Sequence, residues 1–241
     1  MRRGAVVTAV ALGLAATASV ANPSSAGDGP TYVARWEMNE HPKAVYLRDT
    51  SGNGFRGHIG RKVEPTHQQY HHFPRTAHDI DSAPGHIDQV PDAPGLDPGF
   101  ADFSVSVKFR WLGGSDRNLV QKGQGNPLGG MFKMKTTVAD QPPGQIKCLF
   151  RGSMGDSQVE SYGGPRLDDG KWHVVTCKRR TDDTIMFVDG VFVDMNTNDS
   201  GEISNDWPWA IGGNSYCEDH TLENTCNYWW GDIGFVRYSK S

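Results

Sequence analysis

Residues Phe103 to Trp111 alternate without a break. Phe103, Val105, Val107, Phe109 and Trp111 are apolar, and Ser104, Ser106, Lys108 and Arg110 between them are polar. Side chains of a strand project to opposite faces in turn, so this period describes a strand with one buried face and one wet face. A helix cannot place five residues at that spacing on one side. The chain must therefore supply a sheet, and a second layer to cover its apolar side.

Other segments repeat the pattern. Tyr32 to Met38 alternates, with Trp36 and Met38 sharing a face. Asn118–Gln121, Gly130–Lys135, Gln145–Phe150, Gln158–Tyr162, Trp172–Arg179, Thr184–Val188, Trp207–Ile211 and Gly231–Tyr238 are further strand candidates. Asp189-Gly190 stands between Ile185–Val188 and Val191–Val193, a dipeptide suited to a two-residue hairpin turn. Asp169-Gly170 before Trp172 reads the same way. Twenty-nine glycines and 14 prolines in 241 residues favour many turns over a helical bundle. An aromatic fraction of 10% still supplies large core side chains. Ten to twelve short strands at turn-rich spacing predict an all-β, antiparallel two-sheet β-sandwich or a barrel. Residues 60–95, with five histidines and five prolines, read as loops around one or two strands.

Arg2 and Arg3 precede an uncharged apolar run, Ala5 to Val20, and small residues follow at Ser19–Ala21 and Ser24–Ala26. This is the layout of a secretory signal, with cleavage after Ala21 or Ala26, and the run is short for a membrane span. We therefore expect residues 1–26 to be removed, residues 27–241 to form one domain, and the product to be secreted and extracellular. No later segment is apolar and long enough to cross a bilayer. The leader carries two arginines and no acid, so the formal charge moves from −4 to −6 on cleavage. Without a basic excess, nucleic acid is an unsuitable partner.

Export changes how Cys148, Cys177, Cys217 and Cys226 read. An even count in an oxidising compartment predicts two disulfides rather than zinc, and no C-x-x-C pair is present. Three pairings are open, the most local being Cys148–Cys177 with Cys217–Cys226.

Several segments together resemble the laminin-G-like, concanavalin A-like jelly rolls of secreted actinobacterial proteins. They are Asp49-Thr50-Ser51-Gly52-Asn53-Gly54, Asp102–Val107, Asn118–Gly123, Cys148–Gly152, Asp169–Val175, Val188–Gly190, Ile211–Gly213 and Gly231–Tyr238, in the same order over residues 32–238. The resemblance implies a concanavalin A-like jelly roll with Cys148 and Cys177 on facing strands, and the Trp172 ring buried behind its turn. It also implies a structural calcium ion, with Asp49 and Asn53 as ligands. The family's acid in the last strand is replaced by Gly234, so Asp232, two residues earlier on the same face, stands in for it.

Catalytic signals are sparse. A glycosidase needs two carboxylates flanking the scissile bond, and no such cluster occurs. No nucleophile-elbow motif is present. The Asp194–Glu202 stretch lacks the glycine of a calcium loop at Asp199 and reads as a polar loop. A lyase remains the enzymatic alternative, resting on Tyr70, His71 and His72 with His58, Arg56 and Arg61 nearby. His173 reads as structural. The primary expectation is a secreted, non-catalytic module for an extracellular carbohydrate or cell-surface component, with aromatic platforms at Trp207, Trp209, Tyr216, Tyr228, Trp229 and Trp230. A protein-adhesion domain is the other alternative.

Overall fold

A computed structural model describes residues 31–75, 85–124, 129–137, 142–162, 164–214 and 226–241. Sixteen strands run along them: β1 (Tyr32–Trp36), β2 (Tyr46–Leu47), β3 (Gly57–His58), β4 (Glu64–Thr66), β5 (Tyr70–Phe73), β6 (Asp88–Val90), β7 (Phe103–Trp111) and β8 (Asn118–Gly123). They continue with β9 (Met131–Thr136), β10 (Ile146–Gly152), β11 (Gly155–Glu160), β12 (Trp172–Arg179), β13 (Thr184–Val188), β14 (Val191–Asn196), β15 (Trp209–Ile211) and β16 (Gly231–Lys240). The only helical element among the described residues is a 3-10 turn at Pro94–Leu96. None of these residues forms a helix able to cross a membrane.

The strands form two antiparallel sheets. One has the order β14-β13-β12-β7-β16-β5-β4, with β1 also on β16. The other has the order β11-β10-β9-β8-β15-β6-β3-β2. This is the expected antiparallel two-sheet sandwich. The described residues of the span 60–95 hold three short strands, β4, β5 and β6, where one or two were expected. Strands of three or four residues are too short to show a period.

The strand that defined the class behaves as its period requires. In β7 the five apolar residues are buried and the four polar ones half-buried. Facing them between the sheets is a chain of aromatic contacts, Trp36 to Trp209 at 5.9 Å, Trp209 to Tyr238 at 5.1 Å and Phe109 to Trp229 at 5.7 Å. The Cys148–Cys177 disulfide joins β10 of one sheet to β12 of the other, with Cα atoms 6.5 Å apart. The second expected pair, Cys217–Cys226, includes Cys217, which lies outside the described residues.

Turn chemistry follows the sequence. Asp189 and Gly190 both take positive φ, 50° and 80°, as a two-residue hairpin turn with right-handed strand twist demands. His173 is buried and bonded through Nδ1 to Asp189 (2.8 Å) and through Nε2 to Asp169 (3.1 Å), tying the two Asp-Gly turns together. Its structural reading stands. Trp172 departs from expectation. Inward positions of β12 belong to His173, Val175 and Cys177, so the Trp172 ring lies half-buried on the outer face, in register with Arg110.

Candidate functional site

The outer face of the β7 sheet is built from cross-strand rows. In register, Trp172, Arg110 and Asp232 form one row; Val174, Lys108 and Phe235 the next; Thr176, Ser106 and Arg237 the third; and Lys178, Ser104 and Ser239 the last. These are the polar halves of β7 and β16 with the outward residues of β12.

The first row is tightly knit. Asp232, buried on β16, accepts from Arg110 Nε at 2.6 Å and lies 2.7 Å from His72 Nδ1. Arg110 lies over the rings of Tyr70 (5.6 Å) and Trp172 (5.2 Å), and those rings sit 5.5 Å apart. Lys108 places its ammonium 5.1 Å from the Trp172 centroid. A cation over an indole is held by the ring quadrupole without neutralising its charge.

Beside this row the β16 register slips between Ile233 and Phe235, with Gly234 at the irregularity. A Cβ on Gly234 would meet the Lys108 side chain at 3.1 Å and the Trp172 ring at 3.3 Å, both tighter than ordinary contact. The glycine thus lets Lys108 and Trp172 lie down against the strand. It also floors an open groove of about 440 Å³, walled by Arg35, Glu37, Lys108, Phe235 and Arg237, with Asn39, Thr50 and Gln69 around it. Arg237 donates to both oxygens of Glu37 at 2.9 Å, and Arg35 adds a contact at 3.0 Å. Burial pushes the Glu37 carboxyl up, but the two arginines outweigh it and hold the acid below the usual range. Glu37 and Asp232 are therefore both engaged with arginine, while Glu64 stands at the β4 edge of the face in register with His72.

The residues expected at the site fare differently. Trp209, Tyr228 and Trp229 are buried, packed respectively on Trp36, His86 and Phe109. They are core residues and form no rim. Alternate members of an aromatic run must point inward, and here they fill the space that a sandwich leaves. Trp207 and Trp230 are half-buried, the latter beneath Arg75 at 4.9 Å, and neither lies on the rows above. Tyr216 lies outside the described residues. Of the lyase residues, Tyr70 and His72 reach the outer face, whereas His71 is buried between the sheets. His58 pairs with Tyr46 on the other sheet.

The calcium expectation can be tested against contacts. The Asp49 carboxylate accepts from the N–H groups of Arg35 (3.0 Å), Ser51 (2.9 Å) and Phe55 (3.0 Å) and from the Ser51 hydroxyl (2.8 Å). Asn53 donates its amide to the carbonyls of Tyr32 and Val33. Both hold the turn, and Asp232 is bonded to Arg110 and His72. Calcium wants six to eight oxygens; the Asp49 and Asp232 carboxylates already accept from N–H and O–H donors, whereas Asn53 acts as a donor in the Asp49 turn. Among the described residues no three His, Cys, Asp or Glu side chains gather into a metal-binding group.

Of the residues that build this face, the sequence marked Trp172 only as a core ring and Gly234 only as a departure from a metal-ligand pattern, and it did not single out Lys108, Arg110 or Arg237 as site residues. The signal that could have found them is the polar half of the alternation itself, read across three strands once their register is known.

Comparison with known proteins bears on this architecture. A family model described as the concanavalin A-like lectin/glucanases superfamily matches residues 84–240. A search of curated proteins returns no match. Among solved structures, Domain 4 of an extracellular arabinanase from Geobacillus stearothermophilus, in complex with arabinotriose, aligns at TM-score 0.59 and 14% identity, covering 88% of this chain and 93% of that one. The binding domain of Paraclostridial Mosquitocidal Protein 1 aligns at 0.54 and 15%, covering 80% of this chain and 45% of that one. A botulinum neurotoxin serotype D/C binding domain aligns at 0.54 and 12%, covering 87% and 47%. The chain thus spans less than half the length of both toxin domains. At these identities the likeness is one of fold.

Proposed function

Because the chain belongs to the concanavalin A-like lectin/glucanase superfamily, we propose that it is an exported, non-catalytic module that binds an extracellular carbohydrate, seated in the Gly234 groove on the outer face of the β7 sheet. The observation that carries this reading is the groove itself. Sugar sites combine an aromatic face with convergent polar groups. Phe235 is the aromatic of its lining, the Trp172 ring lies against Gly234 with Tyr70 beyond it, and the Asn39 and Gln69 amides, the Thr50 hydroxyl and two arginines line the rest. The arabinotriose complex of the arabinanase domain, similar over nearly its whole length, supports a sugar ligand for this fold. This reading calls for no calcium, and it is supported by the Asp49 and Asp232 carboxylates accepting from N–H and O–H donors instead.

The test is a glycan array read with and without EDTA, for the unaltered protein, Trp172→Ala and Gly234→Asp. Saturable binding that resists EDTA, is lost in Gly234→Asp and weakens about tenfold in Trp172→Ala is expected. That weakening corresponds to removing one aromatic platform, about 1.4 kcal/mol. Binding that survives both substitutions refutes the site, and binding abolished by EDTA refutes calcium independence.

One observation favours a second reading, eliminative cleavage of an acidic polysaccharide. Tyr70, His72 and Arg110 share the face, and His72 carries Asp232 on Nδ1 with no protein partner for Nε2 among the described residues. Ultraviolet absorbance from unsaturated ends, absent in Tyr70→Phe and His72→Gln, would establish it.

A further inference from the structure

The outer face carries more positive charge than its groove needs. Arg35, Arg110 and Arg237 are paired with Glu37 and Asp232, but Lys108 and Lys178 have no carboxylate partner among the described residues. Each lies over a ring instead, Lys108 over Trp172 and Lys178 over Phe187 at 5.2 Å. Glu64 at the β4 edge, in register with His72, and Asp102 beside the second hollow are the other acids of this face, and neither pairs with Lys108 or Lys178. The two lysines are therefore the cations this face leaves without a counter-charge.

The two lysines stand at different points of one strip. Lys178 belongs to the last row and Lys108 to the second; the hydroxyls of Ser106 and Thr176, 2.8 Å apart, lie between them, and those of Ser104 and Ser239, also 2.8 Å apart, share the Lys178 row. A hydroxyl bonded to a neighbouring hydroxyl keeps further acceptor capacity for a ligand. At the far end a second hollow of about 320 Å³ opens beside Lys178, Ser104 and Ser239, with Asp102 and Arg180 on its wall. Arg180 is already held by Asp183. From the Trp172 row to the Lys178 row is six residue steps along β7, about 20 Å. That is several sugar units, not one.

We propose that the ligand is a linear acidic glycan, bearing carboxylates or sulfates, laid along β7 from the Gly234 groove to the second hollow, with Lys108 and Lys178 neutralising successive acidic groups and the serine and threonine hydroxyls meeting sugar hydroxyls. The inference rests on the carbohydrate reading and names its ligand class. The hydroxyl rows and the sparse aromatics favour a glycan over a nucleic acid strand, which is held mainly through stacked bases.

The experiment is calorimetric titration of the full secreted protein with three probes at low and high salt: oligogalacturonates and chondroitin sulfate fragments of two to eight units, and uncharged arabino-oligosaccharides of the same lengths. Single-stranded DNA is a fourth arm. Acidic chains are expected to bind more tightly than neutral ones, more tightly as they lengthen past the groove, and more weakly in salt. Lys108→Gln should weaken acidic chains of every length about two- to fivefold. Lys178→Gln should do so for long chains only and leave disaccharides unchanged. Tight binding of oligogalacturonates shows that carboxylates suffice, and tighter binding of chondroitin sulfate, which carries uronate carboxylates too, shows that sulfate adds to them. Neutral chains that bind as tightly as acidic ones, or a Lys178→Gln variant without effect on long chains, overturn this inference but spare the carbohydrate reading. DNA bound more tightly than any glycan overturns it as well. Absence of any sugar binding overturns both. Unchanged melting temperatures and circular dichroism show that the variants are folded.

Discussion

Stability should fall as pH rises above neutrality, because of a histidine between the sheets. His71 is fully buried, with Nδ1 2.6 Å from Asp88 Oδ2 and Nε2 3.0 Å from Glu40 Oε2. Asp88 also accepts from the Gly60 N–H (3.1 Å) and Glu40 from the Arg48 N–H (2.8 Å). With both ring nitrogens facing carboxylates, each must donate, which only the imidazolium can do. Burial alone would push His71 down, but Asp88 and then Glu40 outweigh it and raise its pKa to about 9 from an ordinary 6.5. Its contribution is then fully present below pH 6.5 and lost as pH climbs toward 9. One proton at about 1.4 kcal/mol per pH unit gives about 2 kcal/mol between pH 6.5 and 8, and about 3 kcal/mol in all.

The assay is urea unfolding at several pH values for the unaltered protein, His71→Gln and Glu40→Gln. His71→Gln leaves two buried carboxylates without their cation and should cost about 3–5 kcal/mol near neutrality, with most of the decline above pH 6.5 gone and a residue of it left to His173, which Asp189 and Asp169 also hold above the ordinary range. Glu40→Gln keeps the Asp88 contact and should retain a shallower decline that ends at lower pH, so the idea stays testable if the first variant fails to fold. A flat profile from pH 6.5 to 8, or the same decline in His71→Gln, would refute the charged-histidine account.

Three further outcomes follow from named contacts. Replacing Cys148 and Cys177 by alanine should lower stability by about 3–4 kcal/mol, the chain-entropy value for a separation of 29 residues, measured by the same unfolding titration under non-reducing conditions. Lys133 is half-buried beside Lys135, and desolvation first and that like charge second lower its pKa to about 8, with Asp116 only partly opposing; Lys133→Met should therefore stabilise the fold by about 1–2 kcal/mol at pH 7, a gain that shrinks as pH rises from 8 toward 10.5. Asp49→Ala strips the acceptor from four donors and should cost about 2–3 kcal/mol by urea denaturation, with no change when calcium is added.

The architecture was legible where strands are long. β7 shows its period over nine residues, and Asp189-Gly190 names its own turn type, so class and hairpin could be read without coordinates. The strands β2 to β6 could not, because two to four residues carry no period. The aromatic run Tyr228-Trp229-Trp230 shows why composition misleads about sites: the same residue types fill cores and bind sugars, and only burial separates them. His71 and Asp88 are 17 residues apart and on different sheets, so nothing local announces their pairing.

Gly234 joins these threads. As a departure from a family pattern it first suggests a weakened metal site, with Asp232 as substitute. In the sheet it does something else. The missing Cβ admits Lys108 and Trp172 to the strand surface, and Asp232 turns toward Arg110 and His72. A carboxylate placed at position 234 would collide with the Trp172 ring and neutralise Lys108, removing platform and charge together. The absent side chain at position 234 thus leaves room for the cationic groove with Trp172 at its edge. For the same reason Gly234→Ala should weaken sugar binding less than Gly234→Asp: it adds the tight contacts at 3.1 and 3.3 Å but leaves the charge. If both variants bound with equal weakness by calorimetry, shape alone would govern the groove; if alanine alone were tolerated, charge would.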